Sequence, residues 1–143
     1  METDPEMLDA FAEEILAIKA ELDPIMLSMK APEHNPALFE KFGQVIDRIY
    51  GTAATMGFME VAAYCRTMKS ISYKCSQSEN SYAIGKVKVM CQNAYGLLEK
   101  FSKIIKNPTE VKKIQYSMQK DREAADALEK NLFSNIVRAS SKT

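Results

Sequence analysis

Residues 35–57 read NPALFEKFGQVIDRIYGTAATMG, and the reading of this run decides the fold. Asn35 is a capping residue, and Pro36 suits the first helical position because proline lacks only an N–H that has no partner there. Gly57 supplies the left-handed conformation that ends a helix. Between them, Phe42, Val45, Ile46, Ile49, Ala53 and Met56 recur with the period of one helix side packed on a core. The spacing predicts a single amphipathic helix over the whole run.

The opposite face is the unusual one. At about 100° per residue, Gly43, Asp47, Gly51 and Ala54 line up there, with Glu40 and Gln44 beside them. A solvated helix face normally carries long charged side chains. Two glycines here each cost about 1 kcal/mol against alanine in a helix interior. That cost implies that backbone approaches closely. Either another helix of the same chain or a docked partner meets the pattern, so the strip reads as a flat surface with one carboxylate in its middle.

The flanking segments are helical too. Among 143 residues only five are glycine, and no segment alternates apolar and polar in the period of a strand. Asp4-Pro5, Asp23-Pro24, Asn35-Pro36 and Asn107-Pro108 each read as a cap followed by proline at the first helical position. A first helix runs from about Pro5 to Leu22 on the stripe Leu8, Phe11, Ile15, Ile18 and Leu22. Pro24 is expected to break or kink it, leaving Ile25, Met26, Leu27 and Met29 as a short apolar turn.

Phe58 opens a third helix directly after Gly57, with Val61, Cys65, Met68, Ile71 or Ser72, and Cys75 on its inner face. So short a connection makes the second and third helices antiparallel neighbours. Asn80 or Ser81 caps a fourth helix, about Tyr82 to Lys106. Asn107 caps a fifth, with Glu110 in the capping-box position. The expected architecture is a single all-α domain over residues 1–143. It is an antiparallel four-helix bundle of helices two to five, with an additional first helix over one end or side and frayed ends at 1–3 and 137–143.

Composition narrows the function classes. Lys+Arg and Asp+Glu are both 19, so no global basic field points to nucleic acid. No apolar run approaches the ~18 residues that span a membrane, and the acidic start METDPEML does not resemble a signal peptide. Cys65, Cys75 and Cys91 form no CxxC pair and read as buried thiols in a reducing compartment, so a cytoplasmic protein is expected. His34, the lone histidine, lies in a loop with no partner in ligand spacing, which predicts no metal site. P-loop, nucleophile-elbow and zincin motifs are absent, and no cofactor is implied. Lys86, Lys88, Lys100, Lys103 and Lys106 make the fourth helix basic. Without interleaved aromatics they read as a solvent face rather than a nucleic-acid platform.

The second and third helices together resemble the histidine phosphotransfer (HPt) family, whose motif has the form H-x-x-K-G-[SAG]-[SA] followed by an apolar-Gly helix end. Here the run Asp47-Arg48-Ile49-Tyr50-Gly51-Thr52-Ala53 fits without a gap, and Met56-Gly57-Phe58 falls at the helix end. Residues 4–29, DPEMLDAFAEEILAIKAELDPIMLSM, are similar to the first helix and linker of the HPt domains at the N-terminus of chemotaxis kinases.

The departures lie in the chemistry. Asp47 stands where the family has its phospho-accepting histidine, and Tyr50 where it has a lysine that supports phosphoryl charge. A carboxylate has no ring nitrogen to accept and return a phosphoryl group, and without a nearby lysine nothing would offset the charge of an acyl phosphate. The resemblance therefore implies a non-catalytic, monomeric docking module. Its partner would be a response-regulator receiver domain or another signalling protein, met through Gly43, Gln44, Asp47, Arg48, Tyr50, Gly51 and Ala54, with no nucleic-acid or membrane partner. Asp47 as an imitation of phosphohistidine is a sharper variant, although its carboxylate is shorter and less charged. A structural bundle using the glycine face as a homodimer seam is the alternative.

Overall fold

A computed structural model describes residues 4–136; the expected frayed ends, 1–3 and 137–143, lie outside the described residues. All regular structure within them is helical: α1 (Pro5–Met29), α2 (Pro36–Ile46), a 3₁₀ turn (Asp47–Ile49), α3 (Tyr50–Thr55), α4 (Met59–Ser76), α5 (Ser81–Ile104) and α6 (Pro108–Leu132). The 3₁₀ turn joins α2 to α3 without leaving right-handed helical backbone, so the chain makes five rods.

Four caps form as their residue types dictate. The side chains of Asp4, Asn35, Asn80 and Asn107 accept from the backbone N–H of Glu6, Ala37, Ala83 and Glu110. Glu110 does not complete a capping box: its carboxylate turns to Lys113 instead, and the Asn107 N–H donates to the Ile104 carbonyl. Gly57 has φ 86°. The N–H of Phe58 donates to the Ala53 carbonyl and that of Gly57 to the Ala54 carbonyl, which is a Schellman ending.

Pro24 does not end the first helix. α1 continues to Met29, with Ile25, Met26 and Met29 buried in line with Phe11, Ile15, Ile18 and Leu22. Proline inside a helix costs about 3 kcal/mol. Burying three further large apolar side chains, each worth about 1.5–3 kcal/mol, more than offsets it.

α2 and α3 pack along α4, which is the central element and also touches α6 and α5. Its inner positions include Ser70, Ser72 and Ser76 as well as apolar groups. α5 pairs with α6, and α1 lies along the side of the bundle between α2 and α5. Lys106–Asp9 and Lys19–Glu99 run α1 antiparallel to α5, and Arg48–Glu21 with Thr52–Glu14 ties α1 antiparallel to the second rod. At one end, the rings of Phe11, Phe58 and Phe101 form a mutual cluster with centroids 5.1–6.1 Å apart.

Candidate functional site

The strip read from the sequence divides in two. Gly43 is buried, and a Cβ there would stand 3.1 Å from the Cα and carbonyl oxygen of Lys69 on α4. Its role is intramolecular close packing, which corrects its place on a docking surface. Gly51 is exposed, and a Cβ there would meet nothing within 4 Å.

The 3₁₀ turn widens the split. Each of its residues advances about 120° rather than about 100°. Eight steps of about 100° already leave the two glycines about 80° apart, and the three residues of the turn add about 60°, so Gly43 meets α4 while Gly51 stands open. Gln44 and Arg48 are exposed as well.

Asp47 occupies the turn itself, with its side chain only 17% exposed. Arg66 and Lys69, one helical turn apart on α4, donate to its two oxygens at 3.1 and 3.2 Å. The expectation that no cation stands near this position is therefore corrected. Two do, brought from α4 rather than from the motif's own lysine position.

That lysine position, Tyr50, has another task. Its ring is half-buried beneath the Arg66 guanidinium, 3.8 Å from ring centroid to Cζ, which fixes the guanidinium where Asp47 receives it. Arg48 reaches back to Glu21 on α1 at 2.7 Å; this pairing lowers the Glu21 carboxyl and raises the Arg48 guanidinium. Ala54 is partly buried against the core. Of the seven positions read from the sequence, Gln44, Arg48 and Gly51 face outward, Asp47, Tyr50 and Ala54 are half-covered, and Gly43 is sealed.

Sequence reasoning does not find Arg66 and Lys69. The available signal is the hairpin: Asp47 and this pair lie at similar distances from Gly57 along opposite arms.

Other reactive groups are withdrawn from solvent. Both ring nitrogens of His34 are covered and without a hydrogen-bond partner, with the ring against Phe39, so this loop histidine is not a free surface group. Burial raises all three thiols, Cys75 to about 12 and Cys65 and Cys91 further. Of the lysines on and just after α5, Lys88 donates to the Ala31 carbonyl, Lys103 pairs with Glu99, and Lys106 pairs with Asp9. Among the described residues, no group of three or more His, Cys, Asp and Glu is placed to hold a metal. No helix among them is long and apolar enough to cross a membrane.

Comparison of the chain with family models, with curated proteins and with solved structures finds no match.

Proposed function

We propose that this chain is a non-catalytic, HPt-like signalling module. It docks a response-regulator receiver domain, or a related signalling partner, on the outer side of its second rod without phosphotransfer. One observation carries the reading: at the motif's phospho-acceptor position stands Asp47, its carboxylate held by Arg66 and Lys69, beside an open Gly51. A carboxylate with both oxygens engaged is a poor nucleophile toward a phosphoryl group. The surface around it, Gln44, Arg48, Gly51 and the flank of Arg66, is polar, shallow and approachable by backbone. Gly43 adds nothing to a partner-facing seam, so a homodimer built on both glycines has lost one of them to α4.

The test is titration calorimetry of a panel of receiver domains against wild type and Gly51→Arg, with intact-mass analysis after incubation with a phosphorylated receiver. Binding by wild type, weakened at least about tenfold (about 1.4 kcal/mol) in the variant, and no mass increase are expected. Equal binding to both proteins, or to neither, overturns the docking reading; a phosphoryl mass increase overturns the non-catalytic one.

A further inference from the structure

The guanidinium of Arg66 is fixed from two directions and open in a third. Its Cζ stands 3.8 Å from the centroid of the Tyr50 ring, and its Nε–H donates to Asp47 Oδ1 at 3.1 Å. The terminal nitrogens Nη1 and Nη2 have no hydrogen-bond partner among the described residues, and the side chain is 50% exposed. A lone surface arginine is ordinary. Arg66 differs because its conformation is already set. An unrestrained arginine loses side-chain entropy when it grips an anion; here the ring and the carboxylate impose much of that loss on folding. What remains is a planar fork whose paired N–H groups match two oxygens of one carboxylate or one phosphate.

Charge decides between those two. Arg66 and Lys69 share Asp47, so the three groups carry one positive charge in excess. The ion pairs Arg48–Glu21, beside Asp47 in the chain, and Arg122–Glu60, earlier on α4, are each neutral. A carboxylate cancels the excess. A phosphate monoester, with a charge of about −1.5 to −2, overshoots it and is repelled by Asp47. Gly51, next to Tyr50, leaves room above the fork: a Cβ there meets nothing within 4 Å. A partner's backbone can therefore come close enough to deliver a short acidic side chain.

We infer that a partner protein reads the outer side of the second rod through an Asp or Glu carboxylate, seated on the terminal nitrogens of Arg66 with its backbone against Gly51. Arg66 thereby sets partner choice, Tyr50 is its platform, and Asp47 is the charge that selects carboxylate over phosphate. The surface is the docking strip proposed above, and the inference rests on that reading for its partner.

The probe is a short glutamate-rich peptide, titrated into ¹⁵N-labelled protein at constant ionic strength. Its counterparts with glutamine and with phosphoserine in place of glutamate are the controls. The guanidinium NMR signals of Arg66 report the contact, and the neighbouring Gly51 amide reports affinity in variants that lack Arg66. A saturable shift at Arg66 is expected with the glutamate peptide, none with the glutamine peptide, and weaker binding of the phosphoserine peptide. Affinity should fall at least about threefold in Arg66→Lys, which keeps the charge and loses the fork, and at least about tenfold in Arg66→Gln. Asp47→Asn keeps an acceptor for Nε and removes the charge, so it should reverse the order of the glutamate and phosphoserine peptides. Unchanged amide signals away from α4 and the second rod verify the fold of each variant.

Absence of a shift at Arg66, equal shifts at Arg48 and Arg122, or wild-type affinity in Arg66→Lys overturns the inference. So does tighter binding of the phosphoserine peptide by wild type, because the occupant is then a phosphate. An unchanged order in Asp47→Asn overturns the part given to Asp47. Receiver-domain calorimetry separates this inference from the reading beneath it. If no receiver binds while the glutamate peptide still requires Arg66, the docking reading falls and the fork stands. A receiver that binds Arg66→Gln as it binds wild type removes the fork and leaves docking.

Discussion

Gly43 and Lys69 meet backbone to backbone: a methyl group at position 43 would come within 3.1 Å of two Lys69 main-chain atoms. This crossing brings α4 close enough to the second rod for the Lys69 ammonium to reach Asp47 from the next turn. Packing and electrostatics at the candidate site therefore share one contact.

The two glycines of the second rod should respond oppositely to the same substitution. Gly43→Ala must displace backbone, an overpacking cost of about 1–3 kcal/mol, against a helix-propensity gain of about 1 kcal/mol. Net destabilisation is expected. Gly51→Ala meets nothing and should stabilise by about 0.5–1 kcal/mol. Urea denaturation of both variants checks the pair, and a common sign would contradict the division of the strip.

Asp47 and Lys69 should couple measurably. The pair is partly screened, so a double-mutant cycle of Asp47→Ala and Lys69→Met is expected to give about 0.5–1 kcal/mol rather than the value of a buried pair. Arg66→Ala should lower stability further by freeing the Tyr50 ring. A coupling energy of zero would mean that Asp47 is held by packing alone.

On the far side of α4, Lys74 is buried and its ammonium is taken by Glu129 of α6. Removing the carboxylate leaves an unpaired buried charge, so Glu129→Ala should cost about 3 kcal/mol. Lys74→Met removes the charge itself and should be neutral or stabilising. Comparison of the two by thermal and denaturant unfolding tests the asymmetry.

Asp121 is partly buried and accepts from the Tyr64 hydroxyl at 3.3 Å; burial raises its carboxyl, and the hydrogen bond opposes the rise. A carboxyl raised in the folded state costs nothing below its unfolded value, where both states are protonated. The penalty appears as pH rises through the folded value. Asp121→Asn keeps an acceptor for Tyr64 and should be more stable than wild type at neutral pH. That advantage should vanish below pH ~4. A pH-independent difference would exclude titration as its cause.

Cys65, Cys75 and Cys91 should resist a water-soluble disulfide reagent in the native protein, because the thiolate is the reactive form and burial suppresses it. Labelling should follow the rate of opening and become immediate in denaturant. Prompt reaction of any one thiol would show that its surroundings open locally.

Much of the fold is legible in the residues. The caps at Asp4, Asn35, Asn80 and Asn107, the Gly57 ending and the inner stripes follow from local chemistry and form as read, whereas Asp23 caps no helix and Glu110 closes no capping box. The extent of α1 is misjudged when Pro24 is weighed by its local cost alone, because burial of the stripe continuing through Ile25 and Met29 outweighs that cost. The strip on the second rod is legible as glycine-lined, but its division is not. A uniform turn per residue already sets Gly43 and Gly51 about 80° apart, the 3₁₀ turn at Asp47–Ile49 widens that angle, and which of the two meets α4 depends on how the rods cross. Arg66 and Lys69 escape notice because a salt bridge between two rods depends on their crossing, which no periodicity within either one encodes.

The Schellman turn at Gly57 acts as a ruler as well as a stop. Asp47 and its two cations lie at nearly equal reach along the arms of the hairpin, so the number of residues in each arm sets whether they meet. One residue inserted between Asp47 and Gly57 would rotate the carboxylate by about 100° away from α4. Arg66 and Lys69 would then lose the carboxylate they share, and a face with one cation in excess would have two. Hairpin length alone thus sets the charge that this face presents.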